Sequence, residues 1–515
     1  MKNVKILDCT LRDGGYYNNW DFDLSIVNQY CDFVENSPID YVEVGYRSIP
    51  LDGYLGEYFY CPIYVLKRLK NRMPSKELVI ILNEKDIRAE HVEALLLECQ
   101  GLISMVRIAI DPKNFKRAII LAKKVKSLNF KVAFNIMYMS SWKQDNSFLD
   151  DLKEIESFVD YFYMVDSFGG VMTEDVIQTI DLVKRKSDII KLGFHGHNNL
   201  QMAMANTLEA INRGCVIVDG TITGMGRGAG NLRMELFLTY LESKNHFEID
   251  YSAMGSIVSK FEKMKEKYKW GTNLPYMFSG AYSLGQKQVM DWVGLNRYSI
   301  SSILNALKNQ KDFKKDNFKL NSLVTNKPFN KAIILGGGES VSVHEVAIHK
   351  MLQNDPNLVL IHAGARNINK FLEIENKQYY TLVGSESDKL TNSIKDFSNL
   401  KGICIYPPFP RKMGIQIPDE LIDISFELNS ISFTNISEDS PLALSIQTAI
   451  DIGVEKLFFV GFDGYKDKVT NNQLLITQEN QKILDDLKKL IQIESLFLLP
   501  TEYKNVKLSS LYNYV

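Results

Sequence analysis

Gly193-Phe194-His195-Gly196-His197-Asn198-Asn199-Leu200 and, near the start, Leu7-Asp8-Cys9-Thr10-Leu11-Arg12-Asp13-Gly14-Gly15 are the stretches whose reading decides the fold. Each ends a short apolar run of strand character and turns polar where that run stops. Side chains of an extended chain alternate faces, so His195 and His197 point the same way. Two imidazoles on one face, separated by a glycine, can ligate one metal ion. Asp13 can add a hard oxygen, and Arg12 beside it can pair with an anionic substrate. Mixed nitrogen and oxygen ligation with room for substrate oxygens suits a divalent ion, Mn²⁺ first, with Mg²⁺, Co²⁺ or Zn²⁺ as alternatives. A His-x-His pair alone is common in ordinary turns. The surrounding pattern gives this one its weight.

Working outward, strand-like runs cover Val4–Asp8, Tyr41–Val44, Leu78–Leu82, Val106–Ala109, Lys131–Asn135, Tyr161–Asp166, Lys191–His195 and Ile217–Thr221. Each is followed by a stretch able to form a helix, as at Asn114–Leu128 and Glu174–Lys186. Eight such units predict a TIM (β/α)8 barrel over residues 1–242. An open doubly wound sheet is the competing fold, but no glycine-rich loop follows the first run to support it. Barrel active sites lie at the C-terminal ends of the strands. Arg12, Asp13, Glu43, Arg107, Asn135, Asp166, Ser167, His195 and His197 all gather at such ends. Strands buried on both faces rarely carry polar groups without a use. Glu43 and Asn135 are therefore candidate substrate contacts.

Residues 243–310 read as a helical extension. Ser256–Lys269 is amphipathic, Phe278-Ser279-Gly280-Ala281-Tyr282-Ser283 interrupts the pattern, and Ile300–Leu307 resumes it. Residues 311–330, rich in Lys, Asn and Asp, read as a linker. A Rossmann-like α/β domain is expected over 331–515. Its first strand, Ala332–Leu335, meets Gly336-Gly337-Gly338-Glu339-Ser340 and then a helix over Val341–Gln353. Further strands are expected at Leu358–His362, Tyr380–Val383, Gly402–Tyr406 and Lys456–Val460, with a helix over Ser440–Ile452. The glycine turn can present backbone N–H groups to a phosphate, which makes a nucleotide or sugar phosphate a candidate ligand. Tight packing explains the glycines as well.

The 515 residues imply two or three domains, and 45% hydrophobic content is enough for sizeable cores. A formal charge of −2 gives no basis for nucleic-acid or membrane-surface binding. The six cysteines show no CxxC spacing and read as reduced thiols of a cytoplasmic protein. A signal peptide and a membrane-spanning run are not expected.

Five blocks carry a family resemblance: Thr10-Leu11-Arg12-Asp13-Gly14, Val42-Glu43-Val44-Gly45, Asp166-Ser167-Phe168-Gly169-Gly170, His195-Gly196-His197-Asn198-Asn199-Leu200, and Gly224-Met225-Gly226-Arg227-Gly228-Ala229-Gly230-Asn231. Their order resembles the DRE-TIM metallolyase superfamily, in particular its 4-hydroxy-2-oxovalerate aldolase branch. The resemblance implies that Asp13, His195 and His197 bind the metal and that Asn231 contacts the same site. It also implies that Arg12 holds the enolate oxygen and that Ser167 lies near the substrate carboxylate. Tyr282 matches a tyrosine close to the reacting centre in that branch. One position departs: the aldolases carry their general-base histidine three residues after the aspartate, where this chain has Tyr16. A tyrosine, with an ordinary pKa of about 10, needs help from a neighbouring charge to act as a base.

The expected activity is thus a divalent-metal-dependent aldolase joining pyruvate enolate and an aldehyde, or cleaving a 4-hydroxy-2-oxo acid into them. Sugar-acid or surface-glycan biosynthesis is its candidate setting. A Claisen-type enzyme condensing an acyl-CoA with a 2-oxo acid is the first alternative. A non-catalytic metal-binding scaffold is the second. A homodimer is the default assembly. The C-terminal domain resembles more faintly the Rossmann-like families that include sialyltransferase-like and motility-accessory domains.

Overall fold

Eight strands of the N-terminal half close on themselves, all in parallel register: β1 (Lys5–Asp8), β2 (Tyr41–Tyr46), β3 (Glu77–Asn83), β4 (Met105–Ile110), β5 (Lys131–Ile136), β6 (Tyr161–Asp166), β7 (Leu192–Gly196) and β8 (Ile217–Gly220). Pairing of β1 with both β2 and β8 completes the barrel. The structure is a computed structural model and describes residues 4–515 except 296, 326–327, 395–396, 398–399, 416, 437–438 and 467–470. It divides into two compact units, Met1–Gly294 and Leu295–Val515.

The period of two along each strand explains how the barrel builds a site. Leu7, Tyr41, Val79, Met105, Ala133, Tyr163 and Ile217 form one apolar cluster, a side chain from almost every strand. Two residues further along the same faces stand Glu43, Arg107, Asn135 and Asp219, all buried. One step out of phase, Val42, Ile80, Val106, Phe134 and Val218 belong to the larger cluster shared with the outer helices. Gly193 shows how tightly the inner layer closes. A Cβ there would lie 2.7 Å from the Tyr163 ring, so glycine makes room for that ring below His195.

After the barrel, helices run over Met234–Ser243, Tyr251–Tyr268, Leu274–Ala281 and Gln286–Leu295. Phe278–Ala281, expected as an interruption, closes a helix that Asn273 caps by accepting from the Tyr276 N–H.

The second unit holds eight more parallel strands: β9 (Asn321–Ser322), β10 (Lys331–Leu335), β11 (Val359–Ala363), β12 (Gln378–Thr381), β13 (Ile403–Tyr406), β14 (Ser425–Glu427), β15 (Lys456–Val460) and β16 (Glu494–Phe497). Their order is β16-β15-β10-β11-β12-β13-β14-β9. The sheet is open, with β10 at the point where chain order reverses. The stretch 311–330, read from sequence as a linker, supplies the edge strand β9, and Leu320 and Asp316 within it are buried. The helix expected over Val341–Gln353 is broken at His344 into Ser340–Val343 and Glu345–Asn354. All six cysteines are buried and free of disulfides. Among the described residues no helix is long and apolar enough to cross a membrane.

Candidate active site

Past β1 the chain turns at once into a short helix, Thr10–Asp13. Asp8 fixes the turn by accepting the Thr10 N–H at 2.9 Å, the Thr10 hydroxyl at 3.0 Å and the Tyr30 hydroxyl at 2.5 Å. Trp20 Nε1 donates to the Arg12 carbonyl at 2.7 Å. Arg12 and Asp13 are thereby buried side by side, with Arg12 Nη1 donating to Asp13 Oδ1 at 2.8 Å.

The loop that ends at Asn231 and the end of β7 bring the other groups. Asn231 Nδ2 donates to Asp13 Oδ2 at 2.6 Å. His195 Nε2 and His197 Nε2 lie 3.6 and 3.9 Å from the same oxygen. Each imidazole is held from behind: His195 Nδ1 is 2.8 Å from Asp219 Oδ2, and His197 Nδ1 is 2.8 Å from the Asp166 carbonyl. Both Nε2 atoms are therefore turned toward Asp13, the way ligating histidines are oriented by outer partners. Ligand atoms of Asp13, His195 and His197 all lie within 4.8 Å of one another. Asn231 Oδ1 is buried without a hydrogen-bond partner. Three converging donors and an orphaned amide oxygen fit a divalent ion.

Charge supports the fit. Burial raises the Asp13 carboxyl, but Arg12, both imidazoles and Asn231 outweigh it and leave it at about 2. Burial and then His195 lower His197 to about 3, so its imidazole is neutral at pH 7 with the Nε2 lone pair available. Burial also pushes the Asp166 carboxyl up to about 7, against the pull of backbone N–H groups from the turn after β6. A second group of possible ligands is Cys9, His195 and Asp219. There burial drives the Cys9 thiol well above its ordinary pKa, and Asp219 is engaged by Arg107 Nη2 at 2.6 Å.

Beneath the triad the charges form a closed ring. Arg12 Nε donates to Glu43 Oε2 at 2.6 Å, and the other Glu43 oxygen lies 3.3 Å from Arg107 Nη1. Arg107 donates from Nη2 to Asp219 and from Nε to Asn135 Oδ1 at 2.8 Å, and its guanidinium lies 4.2 Å from the Tyr163 ring centroid. Asp219 returns to His195, and His195 to Asp13. Glu43 and Asn135, both expected as substrate contacts, thus sit in the layer that holds Arg12 and Arg107. Burial raises Asp219, yet Arg107 and His195 hold it below the ordinary carboxylate range.

Ser167 follows the residue whose carbonyl holds His197, and its Oγ accepts the Tyr138 N–H at 2.8 Å. Ser167, Tyr138, Phe168 and Arg227 line a cavity of about 1010 Å³ that does not itself include the triad. Arg227 connects the two regions: its charge lowers the His197 pKa, and its guanidinium stands 5.8 Å from the Tyr16 ring centroid. The Tyr16 and Tyr46 hydroxyls are 3.0 Å apart, and Tyr16 is 37% exposed. Tyr282 ends its helix against Phe278 and is 46% exposed; its neighbour Ser283 lines the cavity, Tyr282 does not. Sequence reading left Asp219 and Arg227 out of the site. The signal for Asp219 was a carboxylate two residues after Ile217 in a buried strand.

Fold and site together define the class, a barrel enzyme of carbon–carbon bond chemistry with a place for a divalent metal. The chain belongs to the HMGL-like family, which matches residues 3–259. A crystal structure of the N-terminal domain of a protein assigned as an aldolase, from Bacteroides vulgatus, is 51% identical and has a TM-score of 0.55; the match covers 59% of this chain and 100% of that one. Oxaloacetate decarboxylase of Mycobacterium tuberculosis is 26% identical over 242 residues, 47% of this chain and 70% of its own length. The 4-hydroxy-2-oxovalerate aldolase of Geobacillus thermodenitrificans is 29% identical over 253 residues, 47% of this chain and 70% of its own length.

Proposed function

We propose that this chain is a divalent-metal-dependent aldolase acting on 4-hydroxy-2-oxo acids. The observation that carries the reading is the Asp13, His195, His197 triad beside the buried guanidinium of Arg12. Asp13, His195 and His197 would hold the ion, with Asn231 Oδ1 as a fourth donor. When bound, the metal supplies Lewis-acid polarisation of the 2-oxo acid. The first triad is preferred over Cys9, His195 and Asp219 because the Asp13 carboxylate and the neutral His197 imidazole face the same point, whereas Cys9 holds its proton. Mn²⁺ suits the nitrogen and oxygen set.

Arg12 has its Nε and Nη1 fixed by Glu43 and Asp13, which aims its remaining charge at the developing enolate oxygen. Ser167 would contact the substrate carboxylate. Cleavage of the C3–C4 bond needs the proton of the C4 hydroxyl removed, and its electron pair passes into the pyruvate enolate. Tyr16, hydrogen-bonded to Tyr46, would take that proton as its phenolate in this reading, and Tyr282 or a water returns one to C3. The two guanidiniums of Arg12 and Arg107 against the three carboxylates of Asp13, Glu43 and Asp219 leave one net negative charge for the metal to offset.

Tyr16 also favours a second reading. Decarboxylation of a 2-oxo diacid yields the same enolate and needs no base on a hydroxyl, as the name of the Mycobacterium tuberculosis relative suggests for that protein. The test is pyruvate release from a panel of 4-hydroxy-2-oxo acids and from oxaloacetate with Mn²⁺, beside Asp13→Asn. Metal-dependent pyruvate from the hydroxy acids that disappears in the variant supports the aldolase. Pyruvate from oxaloacetate alone supports the decarboxylase. Metal bound without turnover of either turns attention to the acyl-CoA condensing enzyme or the metal-binding scaffold, and no metal binding overturns the aldolase reading.

For the second unit we propose a nucleotide or sugar phosphate as ligand. A cavity of about 990 Å³ lies at the carboxyl ends of β10, β11, β12 and β15, where chain order reverses. The glycine turn itself is taken up by packing: Asp463 accepts the Ser340 N–H at 3.0 Å, and a Cβ on Gly338 would meet that carboxylate at 2.5 Å. Recognition would therefore fall to side chains such as Arg366 and Tyr298. Calorimetric titration with nucleoside diphosphates and sugar nucleotides that gave no heat would remove the assignment.

A further inference from the structure

In the second unit, helix Ile300–Lys311 ends in a turn that glycine ordinarily makes. Phe313 donates its N–H to the Gln310 carbonyl at 3.3 Å, and Lys314 donates to the Asn309 carbonyl at 2.8 Å. That pair of bonds closes a helix through one residue in the left-handed region, most often glycine because a Cβ is disfavoured there. Here the residue is Phe313, with a φ of 55°. Its side chain is 97% exposed. The fold carries a backbone cost at Phe313 and recovers no packing for it. A ring kept in such a place points to a contact outside the chain.

The surroundings define the chemistry of that contact. Lys308, Lys311, Lys314, Lys315 and Lys319 are all exposed. Residues 409–415 lie against the same segment. The Arg411 N–H donates to Asp316 Oδ2 at 2.6 Å, Asn317 Nδ2 donates to the Ile415 carbonyl at 2.7 Å, and Lys319 Nζ stands 5.9 Å from the Phe409 ring centroid. They add Lys412 and Phe409 to the exposed lysines and to Phe318. The carboxylates that these two segments hold or touch are Asp312 beside Lys311, and Asp316 and Glu427, both on Arg411. Six lysines and Arg411 against those three carboxylates leave four positive charges. Asp419, Glu420 and Asp423, on the 3-10 helix that follows, pair with none of these lysines and, even counted in, leave the edge positive. Lys308, Lys314, Lys315, Lys319 and Lys412 form no salt bridge among the described residues. The overall charge of −2 conceals this local excess.

Exposed apolar rings set among lysines suit the surface of a bilayer. The ring enters the headgroup region, the lysine stems lie along it, and the ammonium groups meet lipid phosphates. A nucleic acid fits less well. Its phosphates favour the planar fork of arginine, and Arg411 is buried on Asp316 and Glu427. We propose that this edge of the second unit docks on an anionic lipid surface, with Phe313 as the inserted side chain and Lys314, Lys315 and Lys319 among the charges that draw it there. The proposal is independent of the barrel's chemistry.

The experiment is co-sedimentation of the full chain with phosphatidylcholine vesicles containing phosphatidylglycerol at about one third of the lipid, beside vesicles of phosphatidylcholine alone. Two variants accompany the wild type, Phe313→Gly and the double variant Lys314→Gln/Lys315→Gln. Phe313→Gly restores the ordinary turn residue, so its melting temperature should not fall. The wild type is expected to partition onto the anionic vesicles at least tenfold more strongly than onto the neutral ones, since each lysine at such a surface contributes roughly fivefold. Each variant should lose about tenfold of that partition. Equal or absent partition of the wild type on the two vesicles overturns the proposal, and so does wild-type partition by either variant. Sedimentation of the lipid-free protein reads the other occupant. A dimer that Phe313→Gly dissociates, without vesicle binding, overturns the lipid surface and assigns the ring to a second copy of the chain.

Discussion

Asp219 is the residue whose replacement separates a metal site from a mere knot of charge. Its carboxylate orients His195 and answers Arg107. Asp219→Asn keeps the shape but removes the charge that favours an Nδ1–H facing it. Metal affinity is expected to fall about 10–100-fold, read by titration against a chelator, as for other outer partners of ligating histidines. Unchanged affinity would mean that His195 is not a ligand. Tyr16→Phe addresses the proton instead. With Tyr16 as base, kcat for hydroxy-acid cleavage falls about 10²–10⁴-fold while metal affinity holds. Equal loss of metal would move Tyr16 out of the chemistry and into the architecture. Much of this candidate site was legible because Asp13, His195 and His197 stand at strand ends inside short motifs. Asp219 was not, because a carboxylate in a buried strand looks the same whether it supports a turn, as Asp8 does, or a ligand. Arg227 was hidden in a glycine-rich loop whose path only the fold reveals.

Strands of four residues or more with apolar runs were read to within one or two positions. Most misses lie at or next to the edges of the second sheet, where the edge strand β9 and its neighbour β14 have two and three residues and the other edge, β16, carries Glu494 and Ser495. Edge strands this short bury too little to leave a pattern. Central strands carry sharper predictions. Gly193→Ala in β7 puts a methyl group 2.7 Å from the Tyr163 ring and is expected to destabilise the barrel by about 1–3 kcal/mol in chemical denaturation. A neutral outcome would show that the inner layer shifts freely. In β11, His362 donates from Nε2 to Gln378 Oε1 at 2.8 Å, while its Nδ1 is buried without a partner. Burial lowers its pKa from 6.5 to about 4, with Gln378 pulling the other way. Between those values the unfolded chain binds a proton and the folded chain does not. Stability is therefore complete above pH 6.5 and drains away as pH falls toward 4, by about 3 kcal/mol at most. His362→Phe should be less stable at pH 7 but lack that slope; a slope that survives assigns it to another group.

At the scale of the molecule, the buried apolar clusters among the described residues fall into two sets: two lie in and around the barrel, and three within the second sheet and its helices. The solved N-terminal domain from Bacteroides vulgatus matches 59% of this chain over its own whole length. Two separate cores predict two unfolding transitions, and a metal held by Asp13, His195 and His197 should act on one of them. Mn²⁺ at a hundred times its dissociation constant adds about 2.7 kcal/mol to the unit that binds it. Calorimetry of the full chain should show that gain in a single transition, reversed by a chelator, while the other transition carries the pH dependence of His362. A fragment of residues 1–294 should melt once and keep the whole metal-induced rise. A fragment that loses the rise, or a full chain in which both transitions move with Mn²⁺, would show that the metal site is not a property of the barrel alone.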